Sequence, residues 1–476
     1  MDFDRIKGIT NNSKDVKKDY IFIAIKGTKT DGHIFVEEAI KKGASVVVLQ
    51  NKRLSEEIRK KYPDVHVILS ENTRKFQAVL SKEFYKKPDE SLKIIGVTGT
   101  NGKTTTANLI HQYLSLYRKN AGIIGTIEYR YKDTVYASGR TTPDSIEWFR
   151  ILNDMKSKGA EYVVSEISSH SIDQYRVYGT RFEGGIFTNL TQEHLDYHGS
   201  MENYFQAKKG FFDLIYEKNI DGIAVINTDD EYGKKLYSLF KNRLRVVSYG
   251  KKDSDFKIED ADISLEGTAF SLKHKEKTFR LKSKLLGEFN IYNIAAAFAF
   301  LYTAGVDERF LISATEELEP IKGRFETVYS GKFLVINDYA HTPDALKNIL
   351  SSLKKIKHNR LITVFGAGGD RDKEKRPLMG KVAEKYADIV ILTSDNPRSE
   401  EPEDIVKDIK NGMEKEPKII LDRKEAIGEA INMAKEGGIV LIAGKGHENY
   451  QIVKDKIIPF DDTSVAKHFI KEKNLL

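Results

Sequence analysis

Short apolar runs alternate with amphipathic stretches along most of the chain. Near the start, Tyr20 to Ile25 and Ala44 to Leu49 are apolar, and Phe35 to Lys42 between them carries a helical pattern. Further on, Tyr162 to Ile167, Gly185 to Leu190 and Gly222 to Asn227 are apolar runs bounded by polar turns. That spacing predicts βαβ units and a parallel sheet. From Asp255 to Lys284 the period shortens to alternation, which predicts a small antiparallel meander. An alanine-rich helix within Gly287 to Ala304 and a second helix through Phe310 to Glu317 come next. Strands then recur at Phe333 to Asn337, Leu361 to Phe365, Ile389 to Leu392, Ile419 to Leu421 and Ile439 to Ile442.

At 476 residues the chain exceeds what one hydrophobic core serves. Two polar joints divide it: Lys86 to Ser91, which contains Pro88, and Lys322-Gly-Arg-Phe325. The fold class expected is α/β in three domains. Residues 1–91 form a small N-terminal α/β domain, 92–322 a central phosphate-loop ATPase sheet with a small antiparallel sheet, and 323–476 a Rossmann-like doubly wound domain.

Composition narrows the chemistry. Cysteine is absent, which excludes disulfides, thiolate metal sites and cysteine nucleophiles. The first residues, Met-Asp-Phe-Asp-Arg-Ile, lack the basic and apolar regions of a secretory signal, and the apolar run around Ile294 to Ala304 is too short to span a bilayer. A cytoplasmic protein without a membrane partner is expected. The net charge of +7 is small for the length and no basic stripe concentrates it, so no nucleic-acid partner is expected either.

The chain is organised around Ile94 to Thr106, Ile-Ile-Gly-Val-Thr-Gly-Thr-Asn-Gly-Lys-Thr-Thr-Thr. Apolar Ile94, Ile95 and Val97 suit a buried strand; Ala107, Ile110 and Leu114 continue at helical spacing. Gly99 and Gly102 let backbone amides close around an anion at the helix N-terminus, where unpaired N–H groups and the dipole favour phosphate. Lys103 would reach the terminal phosphates and Thr104 would hold magnesium. The core is the shorter Gly-Thr-Asn-Gly-Lys-Thr, because Val97 stands where the full pattern has glycine.

In parallel sheets ligands gather at the carboxyl ends of strands. Those ends carry Glu166, Ser168, Ser169 and His170, then Thr188, Asn189, His194 and His198. Glu166 is the candidate magnesium ligand, an oxygen donor beside the phosphate loop; an ion pair or helix cap is its alternative. His194 and His198 read equally well as packing or surface histidines. In the last domain the strand ends are Asp338 to Thr342, Gly366 to Arg371, Ser394 to Arg398 and Gly444 to Glu448. Gly366-Ala-Gly-Gly369 does not fit a dinucleotide fingerprint. Arg371, Arg376 and Arg398 suit a multiply charged small acid, since guanidinium offers a planar fork of donors; surface arginines are the alternative.

Taken together these stretches resemble the Mur ligases, the ATP-dependent amide synthetases of peptidoglycan precursor assembly. The matching pieces are Gly99 to Thr105, Thr141-Thr-Pro-Asp144, Glu166-Ile-Ser-Ser-His170 with Gln174 and Arg176, Thr188-Asn189 with His194 to Gly199, Asn290 to Asn293, Gly323-Arg-Phe-Glu326, Asp338 to Pro343, Asp395-Asn-Pro-Arg398 and Gly444-Lys-Gly-His-Glu448. Such collinear agreement is more specific than any one motif.

The resemblance implies roles. ATP would be held by Gly99, Thr100, Asn101, Gly102, Lys103, Thr104, Thr105, Asn293, Arg324, Asp338 and His341. The UDP-linked precursor, UDP-N-acetylmuramoyl-L-alanyl-D-glutamate, would be held by Ser13, Thr141, Thr142, Ser168, Gln174 and Arg176. Magnesium would be bound by Thr104 and Glu166, with a second ion at His194 and at Lys208, which falls where the family has a carbamylated lysine. The incoming amine would meet Arg376, Asp395, Asn396, Pro397, Arg398, Gly444 and Glu448. The Asp-Asn-Pro-Arg stretch accompanies meso-diaminopimelate in the family, where lysine-adding members depart from it. Lys103, Glu166, His194 and Lys208 would be catalytic, through an acyl phosphate, and a monomer is expected.

One departure stands out: Asn12-Ser13-Lys14 replaces the family's usual Asp-Ser-Arg. Two alternatives to the diaminopimelate reading stay open, the lysine-adding ligase and a folylpolyglutamate synthetase-like ligase. The N-terminal domain with Asn12-Ser13 and Asp31-Gly32 argues against the latter. A guanine nucleotide switch would need an Asn-Lys-x-Asp that the nucleotide domain lacks.

Overall fold

A computed structural model describes residues 3, 5–27, 30–136, 139–264, 267–356 and 358–475. The chain forms two compact units, Met1–Asp255 with Ala296–Val306, and Phe256–Ala295 with Asp307–Leu476. No helix among the described residues is long and apolar enough to cross a membrane.

The first unit contains two sheets. Gly8–Thr10, Tyr20–Ile23, Ala44–Leu49 and His66–Leu69 pair in that order, all parallel. Side chains alternate across a strand, so Phe22, Val47 and Leu49 pack on one face while Ile21, Ile23 and Val48 meet Leu80 of the helix Thr73–Phe84 on the other. Both faces are covered, which is why these strands read as unbroken apolar runs. Polar contacts tie this sheet to the rest of the unit: Gln77 Nε2 donates to Ser145 Oγ at 2.9 Å, and buried Asp89 accepts from Lys82 Nζ and Arg181 N at 2.7 and 2.8 Å.

In the second sheet of this unit the strands lie in the order Arg245–Gly250, Ile223–Asn227, Gly184–Phe187, Lys93–Thr98, Tyr162–Glu166 and Ala121–Ile124, all parallel. The antiparallel strands Tyr129–Tyr131 and Thr134–Tyr136 complete that edge. The chain first fills the Tyr162–Glu166 side of Lys93–Thr98, then jumps to Gly184–Phe187 on the other side. That reversal opens a crevice at the carboxyl ends of the two strands, the place where such sheets hold ligands. Gly96 and Gly185 sit in these strands because Phe211 of the helix Met201–Lys218 lies against them; a Cβ on either would stand 2.3 or 2.5 Å from its ring.

In the second unit, Phe256–Ile263, Thr268–His274 and Lys277–Ser283 form the antiparallel meander that the alternation predicts. A second sheet has the order Glu326–Ser330, Leu334–Asp338, Ile439–Ala443, Leu361–Phe365, Ile389–Leu392, Lys418–Ile419, parallel except for its first, antiparallel strand. The run expected over Ile419 to Leu421 pairs only through Lys418–Ile419, and the hairpin of Tyr450–Val453 and Lys456–Pro459 has no counterpart in the apolar pattern.

Candidate active site

In the first unit the phosphate loop leaves the strand Lys93–Thr98 and enters the helix Lys103–Leu116, whose cap Gly102 has φ 84°. That left-handed conformation is open to glycine and strained for most other residues. Gly99 allows a second close approach, since a Cβ there would lie 1.9 Å from Thr188 Oγ1. The loop is clamped by the end of the neighbouring strand. Thr188 Oγ1 and Asn189 Nδ2 donate to Asn101 O at 2.6 and 3.1 Å, and Asn189 accepts from the amides of Thr100 and Asn101.

Two ammonium groups converge on the loop: Lys103 Nζ donates to the carbonyls of Gly99 and Thr100 at 2.9 and 2.7 Å, and Lys208 Nζ donates to Gly99 O at 2.7 Å. Lys208 is buried, one turn before the Phe211 that seats its helix. Burial, and then the ammonium of Lys103, push its pKa well below the usual lysine value. A buried neutral amine is a nucleophile.

Glu166 ends the strand Tyr162–Glu166 and is only 1% exposed. Its carboxylate accepts from Thr104 Oγ1 at 2.9 Å, Thr126 N at 2.6 Å and Thr126 Oγ1 at 3.1 Å. A buried carboxylate whose hydrogen-bond partners are all neutral suits a cation. The set of one carboxylate and one hydroxyl fits magnesium, which keeps waters and takes phosphate oxygens for the rest. Among the described residues no three His, Asp or Glu side chains gather as a metal cage.

The residues expected at the UDP-linked precursor assemble beside it. Thr142 Oγ1 donates to Glu166 O and accepts from Ser168 N, while the hydroxyls of Thr126 and Thr141 are paired at 3.1 Å. Arg176 reaches Thr142 O and Gln174 Oε1, each at 2.9 Å. Burial, then Arg140, lowers the Arg176 guanidinium to about 10. Ser13 stands apart, at the start of the short helix Ser13–Asp15, donating to Glu38. Asn12 caps the short helix there, its Oδ1 accepting from Lys14 N as an aspartate oxygen would, while its Nδ2 donates to Asp15, a bond that aspartate could not make.

His194 opens a short helix at φ 56°, and its ring lies 4.9 Å from that of His170. Burial holds the pKa of His170 down at about 4, and it also lowers His194 and His198, so all three favour the neutral form that binds metals.

The second unit carries two groups of its own. Asp338 is half-buried and accepts from the amides of Phe325 and Ala340 at 2.7 and 2.8 Å; desolvation pushes its carboxyl up to about 6. The Arg324 guanidinium lies 4.7 Å from the Tyr339 ring, His341 Nδ1 meets Tyr339 O, and Asn293 donates to Asn290. The other group gathers at the sheet's carboxyl edge. Asn396 Nδ2 donates to Glu448 Oε2 at 2.8 Å, and Asp395 Oδ2 lies against Gly444. Arg398 Nη1 donates to Gly369 O at 2.7 Å, and its backbone is held at φ 52° by bonds with Ile452 and Lys454. Strain of that kind costs on the order of 1–3 kcal/mol and concentrates at functional sites.

Three family models cover the chain in succession: "Mur ligase family, catalytic domain" over residues 5–85, "Mur ligase middle domain" over 97–301 and "Mur ligase, glutamate ligase domain" over 323–446. A relative from Aquifex aeolicus (strain VF5) is 49% identical over 468 residues, 98% of this chain and 94% of its own length. The chain belongs to the Mur ligase family.

That Aquifex relative is named "UDP-N-acetylmuramoyl-L-alanyl-D-glutamate--2,6-diaminopimelate ligase", as is one from Syntrophomonas wolfei, 42% identical over 98% of this chain and 95% of its own. A solved structure with the same name has a TM-score of 0.72 at 35% identity, covering 98% of this chain and 95% of that one.

Within this Mur ligase, one expected contact is otherwise engaged. Arg376 is fully buried, and its guanidinium bridges Glu400 and Asp408 at 2.9 Å each. It holds the Glu400 carboxyl down at about 2 and is spent inside the domain rather than offered to an amino acid. Arg371 is exposed instead, and both its Cγ and Arg398 Nη1 border Gly368, 3.7 and 2.9 Å from where a Cβ would stand. Sequence reasoning missed Thr126, which supplies two of the three bonds to Glu166. Its signal was its place just past the carboxyl end of Ala121–Ile124. It also missed Arg423, whose buried ion pair with Asp462 at 2.7 Å braces Ala443 O and Ser394 O beneath the last group.

Proposed function

We propose that this Mur ligase adds meso-2,6-diaminopimelate to UDP-N-acetylmuramoyl-L-alanyl-D-glutamate at the expense of ATP, in peptidoglycan precursor synthesis. The observation that carries this reading is 49% identity along nearly the whole length of a relative named for that reaction. A cytoplasmic monomer needing no nucleic acid or membrane partner is part of the same reading.

The γ-carboxylate oxygen of the D-glutamyl residue attacks the γ-phosphorus of ATP, the bond to ADP breaks, and an acyl phosphate forms. The amine of diaminopimelate then attacks the acyl carbon, phosphate leaves with the bonding pair, and the new amide sheds a proton. No protein nucleophile is needed, so the chain works by positioning and electrostatics. The loop amides of residues 99–105 hold the phosphates, and Lys103 turns from the Gly99 and Thr100 carbonyls to the γ-phosphate. Thr104 and Glu166 hold magnesium, which when bound neutralises charge on the phosphates.

Lys208 is the carbamylation site: its neutral amine adds to the carbon of CO2, losing a proton, and the carboxylate so made serves a second cation with His194. Asn293, Arg324, Asp338 and His341 receive the nucleoside. Thr141, Thr142, Ser168, Gln174 and Arg176 hold the muramoyl dipeptide, and Ser13 the uracil end. Arg398 and Arg371 take the distal carboxylate of diaminopimelate, while Asp395, Gly444 and Glu448 receive its distal ammonium and Asn396 orients Glu448.

The test is phosphate release with ATP, magnesium and the UDP dipeptide, comparing meso-diaminopimelate, L-lysine and no amine. Release that depends on diaminopimelate is expected. Dependence on lysine would keep the ligase and overturn the acceptor.

A further inference from the structure

Lys445 lies one residue past the strand Ile439–Ala443 and its bordering Gly444, and it is completely buried. A buried ammonium needs a countercharge and acceptors. The countercharge and two acceptors come from the amine-binding group. Lys445 Nζ donates to Asn396 Oδ1 at 3.2 Å and to Glu448 Oε2 at 3.3 Å. Asn396 Oδ1 also accepts from Ile452 N at 2.9 Å. With two donors at its oxygen, the amide of Asn396 has one orientation left, the one that turns Nδ2 toward Glu448 Oε2. Glu448 Oε2 therefore has two donors from within the chain, and Oε1 takes part in none of these bonds.

We propose that Lys445 is a positioning residue for amine recognition, locking the Asn396–Glu448 pair so that Glu448 presents one oxygen to the substrate's distal ammonium. It touches no substrate; it acts through Glu448. Removing it leaves the glutamate with a single internal donor and frees it to swing. The loss falls on the ammonium that diaminopimelate and lysine share, whereas loss of Arg398 falls on the carboxylate that only diaminopimelate carries.

This inference rests on the proposed amine-adding reaction, so the wild type is assayed beside the variants with each amine. In Lys445→Met we expect the KM for the amine to rise at least tenfold, with the KM values for ATP and the UDP dipeptide unchanged and kcat within threefold. An unmoved amine KM, or a parallel rise in all three, would overturn it. Where Lys445→Met fails to fold, Glu448→Gln is compared with the Lys445→Met/Glu448→Gln double variant, which has no uncompensated charge. Equal amine KM values within twofold support action through Glu448; a further tenfold rise overturns it. A wild type that prefers lysine sinks the diaminopimelate reading alone, and the same comparison is then made with lysine. A wild type that uses neither amine overturns both.

Discussion

Lys103 and Lys208, 105 residues apart in the chain, donate to the same carbonyl oxygen, that of Gly99, at 2.9 and 2.7 Å. Two ammonium groups so close cannot both keep their protons at low cost, and the fully buried one is the one that yields. Since the pKa of Lys208 is lowered in the fold, the unfolded chain binds the proton more readily between that value and the ordinary lysine range. Stability gained through this residue therefore grows as pH rises across that window and is lost below it. Lys208→Met is expected to gain stability relative to the wild type as pH falls, read by urea unfolding at a series of pH values. Stripping CO2 and bicarbonate is expected to lower turnover, and labelled CO2 to give a carbamate carbon signal that Lys208→Arg lacks.

Asp338 carries the opposite sign. Its folded value of about 6 lies above the ordinary carboxylate, so the folded state keeps a proton that the unfolded state has released. Wild-type stability relative to Asp338→Asn should fall as pH rises from about 4 to about 6, and level off above. A difference that stays flat over that range would place the titration elsewhere.

Arg398 and Arg376 should separate cleanly. Truncating a charge that pairs with a substrate carboxylate costs about 2–5 kcal/mol, roughly 30- to several-thousand-fold in kcat/KM. Arg398→Ala should show that loss for diaminopimelate and little for lysine. Arg376→Met strands Glu400 and Asp408 around an emptied pocket, so it should lower stability by about 3–5 kcal/mol and leave the diaminopimelate KM of the folded enzyme unchanged. Thermal melting beside steady-state kinetics distinguishes the two.

Glu166→Gln keeps the shape of a side chain fixed by Thr104 and Thr126, removes its charge and turns one accepting oxygen into a donor. We expect phosphate release to fall by roughly 100-fold or more, with a higher magnesium concentration needed for half-maximal rate. Unchanged magnesium dependence would remove Glu166 from the metal site.

Much of this was legible because it is local. The strand, loop and helix from Ile94 to Thr106 come from apolar spacing and two glycines, and the meander comes from alternation. What escaped depends on distant partners. Arg376 and Arg398 look alike as residues at loop ends; only the fold brings Glu400 and Asp408, 24 and 32 positions away, onto Arg376 and sets Arg398 at the Gly368–Gly369 bend. Thr126 gained its role because Ala121–Ile124 pairs with Tyr162–Glu166, which set its hydroxyl and amide at the Glu166 carboxylate.

Adjacent Lys208 and Lys209 mark the division most sharply. Residue order alone made them neighbours, and it likewise dictated the family, the order of the motifs and the phosphate loop. Successive side chains on a helix point about 100° apart, so the two lysines could not share one environment. Which faced inward was decided by packing: Phe211 seats against Gly96 and Gly185, turning Lys208 to the Gly99 carbonyl and leaving Lys209 to pair with Asp213 at 2.7 Å. The same chemistry became a buried amine that gives up its proton more readily in one and a half-buried ion pair in the other, because desolvation acts on the folded neighbourhood and not on the residue.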